Sequence, residues 1–223
     1  MGSMSSRESV TVDAEQPPRA DIERLLVSVA REQFAEFGYA DTSLASVVSA
    51  AGITKGAVYY YFANKRDLFA VVYEEEQRRV IRDVAVAYGQ VADVWEAFQA
   101  GVLAFMRQLV DRGVQRIMLI DAPVALGWAH LRDGSSVTAV GMLADGLRRV
   151  SETGLLRGWD IDILAHLIYG AICESAHTIA FAGDPDKAVE PVADEVRALL
   201  NALVSSSSGS AALQAANAAK ESD

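Results

Sequence analysis

The feature of this sequence that most constrains its fold is a stretch of more than a hundred residues without proline, from Arg19 to Ala122. Proline inside a helix removes a hydrogen-bond donor and clashes with the preceding turn, so its absence over this length favours helices. Apolar residues recur three and four positions apart, as on one face of a helix, and no strictly alternating run is bounded by hairpin dipeptides. We therefore predict an all-α protein.

The two ends of the chain differ in composition from its middle. The first residues are polar and end in Pro17-Pro18, and residues 1–3 are expected to be a vector-derived remnant before a native start at Met4. Near the other end, residues 205–210 read SSSSGS, which is typical of a linker. The predicted segments are a flexible N-terminal arm (1–18), a small helical domain (19–64), a larger helical domain (65–204) and a flexible tail (205–223).

The charge of the chain is acidic and unevenly distributed. There are 20 Lys+Arg against 30 Asp+Glu, a net charge of −10, which excludes a uniformly basic protein that coats DNA. Residues 19–66 hold six basic and five acidic side chains, whereas residues 67–204 hold twelve and twenty. The N-terminal domain is therefore the part of the chain whose charge tolerates a polyanion.

The single cysteine and the apolar segments bear on where the protein works. Cys173 has no partner for an internal disulfide, which is typical of a reducing compartment. The most apolar stretch, residues 161–183, contains four ionisable side chains, and these make a membrane span unfavourable. We expect a cytoplasmic protein with no membrane partner.

Residues 42–62 read TSLASVVSAAGITKGAVYYYF, two short helical patterns joined by an Ala-Gly-Ile turn. A longer helical pattern precedes them and ends at Gly38, where a C-terminal cap is expected. Thr42 and Thr54 are residue types that cap helix N-termini, and Gly52 can adopt a positive φ in the turn. This arrangement predicts a helix-turn-helix.

The predicted outward face of the second short helix carries Lys55, Gly56, Tyr59 and Tyr60. Lysine neutralises phosphate, glycine lets the backbone approach a base or sugar, and tyrosine offers an apolar face and a hydroxyl. The alternative is that the aromatic run ending at Phe62 is simply core. Four consecutive residues span about 300° around a helix, so they cannot all face one core. This favours a binding role for the tyrosines, with Phe62 inside.

Residues 22–69 resemble the DNA-binding domain of the TetR family of transcriptional regulators. The motifs that carry the resemblance are FAEFGY at 34–39, TSL at 42–44, AAGITKG at 50–56, the aromatic run that follows, and NKRDLF at 64–69. The rest of the chain resembles the family in length, helicity and layout.

The resemblance implies a homodimeric, usually repressing regulator that reads a pseudo-palindromic operator and binds a small-molecule effector in its C-terminal domain. On the matching positions it implies that Lys55 and Gly56 open the recognition helix against the major groove. It also implies that Thr42, Tyr61 and Lys65 contact the DNA backbone. The complete predicted DNA-binding set is Thr42, Thr54, Lys55, Gly56, Tyr59, Tyr60, Tyr61 and Lys65.

The last two long helical patterns, about 161–182 and 187–204, are apolar on more than one face, which indicates burial on several sides. Such a pair suits a four-helix interface with a second copy of the chain, as the family layout also implies. The alternative is a purely intramolecular core.

A cavity between the C-terminal helices is the expected effector site, and its apolar candidates suggest a hydrophobic effector. Ionisable residues inside apolar helical segments need a partner or solvent, which makes them the most informative members. The alternative for each residue is ordinary core packing. The predicted pocket residues are Phe98, Phe105, Met106, Met118, Asp121, Trp128, Met142, Tyr169, Cys173, Glu174 and His177.

No motif for catalysis or nucleotide binding occurs, so we predict neither an enzyme nor a cofactor. Glu174 and His177 match one Glu-x-x-His pair, but di-iron bundles need two such pairs and two further glutamates. A metal site would require contributions across a dimer.

The remaining alternative is a helical interaction or sensor module that does not bind DNA. Measuring binding to DNA at two salt concentrations separates the two, because a DNA reader loses affinity steeply with salt.

Overall fold

The computed structural model describes residues 19–131 and 139–220, with side chains given for 20–127, 130–131 and 139–205; the predicted arm, 1–18, lies outside the described residues. All regular structure in the described residues is helical, which confirms the predicted fold class. The elements are α1 (Arg19–Asp41), α2 (Leu44–Ala51), α3 (Lys55–Tyr61), α4 (Lys65–Gly89), α5 (Val94–Gln108), α6 (Arg112–Gln115), the π-helical turn π1 (Arg116–Asp121), α7 (Ala122–Ala125), α8 (Trp128–Leu131), α9 (Ala139–Glu152), α10 (Ile161–Ala180) and α11 (Pro185–Lys220).

The last helix extends past residue 205, where the serine-rich composition predicts a flexible tail. Its backbone is helical to Lys220, and the flexibility of this segment stays a prediction. Residues 211–219 are rich in alanine, the residue with the highest intrinsic helix propensity, which accounts for a helical backbone there.

The N-terminal domain is a three-helix unit completed by the first turns of α4. Phe34 of α1, Val47 of α2 and Val58 of α3 are fully buried, and Phe69 of α4 joins them. The ring of Phe69 meets Phe34 edge-on with 5.0 Å between ring centroids, and it meets Tyr39 at 4.9 Å. Aromatic pairs prefer such edge-to-face geometry, so the pairing sets the angle at which α4 leaves the domain.

A charged cluster ties α1 to α4 above this aromatic contact. The Glu76 side chain is only 2% exposed, and the Arg31 guanidinium donates to both of its carboxylate oxygens, at 2.7 and 3.2 Å. Arg79, one turn further along α4, binds the same carboxylate. The hydrogen bond with Glu76 raises the pKa of Arg31, so the guanidinium keeps its positive charge.

At Gly38 the chain leaves helical geometry, with φ 86° and ψ 170°, where the sequence predicts the end of the first helix. The carbonyls of Glu36 and Phe37 are left outside the helix, and the Arg116 guanidinium of π1 donates to both, at 3.1 and 2.9 Å. The Tyr39 amide donates to the Asp121 carboxylate at 2.8 Å. The end of α1 is thus completed by groups of the larger domain.

The larger domain packs α5, α9, α10 and α11 around one core that is continuous with that of the smaller domain. By length and composition alone, α10 is long and apolar enough to cross a membrane. Ile168, Ile172 and Ile179 on one of its sides are nevertheless buried against neighbouring helices, as in the core helix of a globular domain.

We predict that Arg31→Met lowers the free energy of unfolding by about 2–3 kcal/mol, because it leaves the buried Glu76 carboxylate with one cation fewer. Urea denaturation followed by circular dichroism measures this change. Arg24→Met is the matched control, since its ion pair with Asp21 is solvent-exposed and contributes under about 1 kcal/mol. Equal losses of unfolding free energy in the two variants would contradict the proposal that the Glu76 cluster stabilises the contact between α1 and α4.

We also predict that Gly38→Ala costs more stability than Gly52→Ala. Both glycines have positive φ, but a Cβ on Gly38 would lie 2.7 Å from the Arg116 guanidinium, whereas a Cβ on Gly52 would meet nothing within 4 Å. The Gly38 conformation also lies in a region that is essentially restricted to glycine, while Gly52 is in the left-handed helical region. We expect a loss of about 2–3 kcal/mol for Gly38→Ala against about 1 kcal/mol for Gly52→Ala, read from the same denaturation curves.

Candidate nucleic-acid interface and ligand cavities

The turn between α2 and α3 is built by local backbone contacts. Gly52 adopts φ 66° and ψ 24°, the left-handed conformation that the sequence predicts for it, and its amide donates to the carbonyls of Ser49 and Val48. The Ile53 amide then donates to the Val48 carbonyl at 3.3 Å. This tight turn lets α3 cross α2 while Val58 anchors its inner side.

The outer side of α3 is open to solvent. Lys55 and Gly56 are exposed at its first turn, and nothing in the described chain lies within 4 Å of where a Cβ on Gly56 would be. Tyr59 and Tyr60 are exposed by 51% and 67%. A cation, a bare backbone and two aromatic rings therefore share one accessible surface, the α3 outer face, as the helical spacing predicts.

The residues next to this face differ in their exposure, and Phe62 lies inside as the sequence predicts. Phe62 is buried, and Tyr61 is half-buried against the core, with its ring 5.1 Å from that of Tyr60. Thr54 occupies the N-cap position of α3, is exposed and makes no side-chain capping bond. Its hydroxyl is thus accessible beside Lys55.

Thr42 and Lys65 are engaged differently from the sequence-based expectation. Thr42 does not cap α2; Ser43 does, in a reciprocal capping box with Ser46. The Thr42 side chain is 2% exposed and donates to the Gln33 carbonyl at 3.2 Å, so its burial does not support a phosphate contact. The Lys65 ammonium donates to the carbonyls of Tyr39 and Ala40, because it completes the end of α1. Sequence spacing gave no signal for these longer-range contacts.

Two cavities of the larger domain contain residues that the sequence predicts for the pocket. The first, of about 360 Å³, lies between α4, α5 and α9 and is walled mainly by buried apolar side chains. Its lining residues are Val84, Ala85, Tyr88, Phe98, Gly101, Val102, Phe105, Met142, Leu143, Asp145, Gly146 and Arg149.

The second cavity, of about 640 Å³, lies between π1, α9 and α10 and is larger than the first. It reaches the outer surface of α10, where Ile163 and Leu167 are exposed by 60% and 62%. Its lining residues are Met118, Leu119, Pro123, Leu131, Val140, Asp162, Ile163, His166, Leu167, Tyr169, Gly170, Cys173 and His177.

The predicted pocket residues are divided between these cavities rather than gathered in one. Phe98, Phe105 and Met142 line the first cavity, whereas Met118, Tyr169, Cys173 and His177 line the second. The rings of Phe105 and Tyr169 stack with 6.1 Å between centroids, and this pair forms a wall between the two spaces. Helical periodicity shows which residues turn inward but not on which side of such a wall they end.

Three of the predicted pocket residues, Met106, Asp121 and Glu174, line neither cavity. Met106 is fully buried in the core, and the Asp121 carboxylate accepts the Tyr39 amide. Glu174 is 80% exposed, 3.9 Å from the His177 ring nitrogen. The side chain of Trp128 lies outside the described residues. Arg149, which sequence analysis did not select, lines the first cavity; its place next to apolar Val150 on α9 gave no distinguishing signal.

Burial is the main cause of the pKa shifts of Tyr169 and Cys173, which line the second cavity. It raises the pKa of the Cys173 thiol to about 11 and also raises the pKa of Tyr169. Both groups are therefore neutral at physiological pH, and Cys173 is a packing residue and not a nucleophile. Within the described ranges, no three His, Cys, Asp or Glu side chains come together as a metal site.

An apolar face is left uncovered on the outer side of α10 and α11. Leu167 of α10 and Leu199 of α11 are exposed by 62% and 54%, and Trp159 just before α10 is exposed by 39%. Together with buried neighbours such as Leu164 and Leu200, they line a shallow groove of almost wholly apolar surface. Contiguous apolar surface of this kind marks an interaction site.

Comparison with known proteins supports the same two-part organisation. The family described as bacterial regulatory proteins, tetR family, matches residues 26–72, and the family described as tetracyclin repressor-like, C-terminal domain, matches residues 95–203. The Tn10 TetC protein of Escherichia coli is 26% identical over 145 residues, which cover 65% of this chain and 73% of TetC. The uncharacterised regulator YezE of Bacillus subtilis is 26% identical over 190 residues, covering 80% of this chain and 94% of YezE.

Solved structures show the same fold. A TetR-family regulator from Pectobacterium atrosepticum is 28% identical, with a TM-score of 0.69, and the match covers 83% of this chain and 95% of that protein. FadR from Bacillus subtilis, solved in complex with stearoyl-CoA, shares the fold at 20% identity and a TM-score of 0.60, over 82% of this chain and 97% of FadR. With a helix-turn-helix whose recognition surface is exposed and two matching family domains, this chain belongs to the TetR family of transcriptional regulators.

Proposed function

We propose that this protein is a ligand-responsive repressor that binds a pseudo-palindromic operator as a homodimer. The observation that carries the proposal is the α3 outer face, on which Lys55, Gly56, Tyr59 and Tyr60 are accessible together. In a dimer, two such helices would enter successive major grooves of DNA, about 34 Å apart. Tyrosine rings would contact thymine methyl groups or sugars, while Lys55 would neutralise a phosphate.

The uncovered face of α10 and α11 supports the dimer. Burial of Leu167, Leu199 and Trp159 against the same residues of a second copy would remove this apolar surface from water. A two-fold interface is self-complementary, which suits a pair of adjacent helices that present one continuous apolar groove.

The contacts between the domains support control by a ligand. Three residues separate the end of α3 from the start of α4, and the far end of α4, at Tyr88, lines the first cavity. The π1 turn lines the second cavity through Met118 and holds the end of α1 through Arg116. An effector that binds better to the conformation with wrongly spaced recognition helices would shift the population away from DNA.

We predict that Tyr59→Ala weakens binding to the selected operator by about 10–100-fold, because it removes a contact worth about 1–3 kcal/mol. The operator is first selected from random duplex DNA by the wild-type protein, and affinities are measured by fluorescence anisotropy. Lys55→Gln should weaken binding and reduce the slope of log affinity against log salt by about two per dimer, one for each lysine.

Lys187→Gln is the matched control for the lysine variant, since it removes the same charge from α11, where Lys187 pairs with Asp184. It should leave both the affinity and the salt slope unchanged. Wild-type affinity in both Tyr59→Ala and Lys55→Gln would exclude the α3 outer face as the DNA-reading surface. If no duplex is enriched by the wild-type protein, the alternative of a helical sensor module without DNA binding gains support.

We predict that Leu167→Arg converts the dimer to a monomer at micromolar concentration, because it places a charge at the centre of the apolar groove. Sedimentation velocity measures the change. Val86→Arg is the control: Val86 is exposed to a similar extent, 61%, but lies on α4 and outside the groove. A Leu167→Arg protein that sediments as the wild type does would place the dimer contact elsewhere.

A further inference from the structure

We propose that the first cavity binds an aromatic monocarboxylate of about a dozen non-hydrogen atoms, with its carboxylate paired to Arg149. The inference deepens the proposed function, because it names the chemistry of one ligand; the binding itself does not depend on DNA recognition. The proposal does not involve the second cavity, which is larger.

The body of the ligand is defined by the cavity walls. Phe98, Val102, Phe105 and Leu143 are all at most 6% exposed, and no ionisable side chain stands among them in the interior. A polar or charged ligand body would lose its hydration there without gaining hydrogen bonds. Because two of the four walls are phenyl rings, a flat aromatic body can pack edge-on or offset against them.

The charged group of the ligand is expected at the mouth of the cavity, where Arg149 lies. The Arg149 guanidinium lies over the Tyr88 ring, 5.9 Å from its centroid, and both side chains line the cavity. A cation–π contact of this kind keeps the guanidinium near the ring while leaving its N–H donors available for an acceptor. Among the described residues, no carboxylate lies within ion-pair distance of Arg149.

One acidic group shares the mouth, and its carboxylate is already engaged in an ion pair with Arg148. Asp145 accepts from Arg148 at 2.7 Å, and Arg148 also binds Asp162 of α10 at 2.6 Å. This three-membered network directs the Asp145 carboxylate towards Arg148. Arg149 is therefore the charge at the mouth that remains to be paired, and an anion is favoured over a cation.

The size of the ligand follows from the volume of the cavity and from one missing side chain. At about 30 Å³ for each water-sized group, 360 Å³ holds about twelve non-hydrogen atoms. Part of this space exists because residue 101 is glycine: a Cβ there would reach Tyr88 and Val84 at 3.5 and 3.6 Å, in ordinary contact, and a longer side chain would fill the cavity.

The probe is 4-phenylbutanoate, which has about the required number of atoms, compared by titration calorimetry with the neutral 4-phenylbutan-1-ol and the cationic 4-phenylbutylamine. The wild-type protein should bind the carboxylate in a saturable manner, at least about tenfold more tightly than the alcohol, and should bind the amine most weakly. Saturable binding that is equal for the carboxylate and the alcohol would overturn the pairing with Arg149. No saturable binding of the carboxylate up to about 1 mM would overturn the whole proposal.

Two variants locate the site. Arg149→Gln should lose about tenfold in affinity for 4-phenylbutanoate and none for the alcohol, while Arg82→Gln, which removes the same charge from the exposed surface of α4, should change neither. Gly101→Leu should abolish binding of both compounds while its helical circular dichroism is retained. An unchanged preference for the carboxylate in Arg149→Gln, or unchanged binding in a folded Gly101→Leu protein, would overturn the proposed site.

Failure of the proposed function would look different. If the wild-type protein binds 4-phenylbutanoate with the expected preference but enriches no duplex DNA, the cavity assignment stands and the repressor proposal falls. If it binds DNA and does not bind the carboxylate, the reverse holds. Where both activities are present, release of the selected operator by 4-phenylbutanoate from the wild type and not from Arg149→Gln would link them.

Discussion

The structure depends on how the end of α1 is completed. A helix that stops leaves carbonyls without intrahelical donors, and leaving such groups unpaired inside a protein is costly. Here the break at Gly38 leaves the carbonyls of Glu36 and Phe37, which accept from Arg116, and the carbonyls of Tyr39 and Ala40, which accept from Lys65. Lys65 at the start of α4 and Arg116 of the larger domain therefore complete the end of α1 together, which couples the DNA-binding unit to the larger domain.

The π-helical form of π1 explains how one short segment reaches α1 twice. Arg116 and Asp121 are five residues apart, which in an α-helix would direct their side chains about 140° away from each other. In a π-helix, residue i bonds to residue i+5, so the two stand on the same side. Arg116 can then donate to the last carbonyls of α1 while Asp121 accepts the Tyr39 amide at 2.8 Å. A regular helix here would forfeit one of the two contacts.

In the first turn of α4, Arg66 donates to the carbonyls of Ala125 and Leu126, at the end of α7. A movement of π1 relative to α4 would therefore strain contacts on both α1 and α4. The segment from π1 to α7 also forms part of the second cavity, through Met118 and Pro123. The same segment therefore contacts both the cavity and the helices α1 and α4 that flank the recognition helix. A ligand that changes the spacing of the two recognition helices must favour a conformation in which these contacts of π1 and α7 with α1 and α4 are altered.

Sequence reasoning succeeded where the governing forces are local. The turn at Gly52, the burial of Val58 and the exposure of Tyr59 follow from helical periodicity and backbone sterics over a few residues. It was wrong about the α2 cap, because Thr42 and Ser43 are both good capping residues and only the tertiary bond to Gln33 decides between them. The division of the pocket candidates by the Phe105–Tyr169 pair depends on packing between distant helices, which periodicity does not encode.

The electrostatics of the N-terminal domain have a consequence for how it meets DNA. Among the described basic side chains between residues 20 and 66, Lys55 is the one without a protein partner; the others bind carboxylates or carbonyls of the fold itself, namely Arg24, Arg31, Lys65 and Arg66. Release of counterions by basic residues supplies most non-specific DNA binding, and the α3 outer face itself carries one cation, Lys55, so this face is weak in that component. Specific affinity must then come mainly from the tyrosines and backbone of α3, whose contacts depend on the bases presented. The acidic residues 67–204 repel DNA elsewhere on the molecule, which leaves α3 as the favoured approach and raises the ratio of specific to non-specific binding.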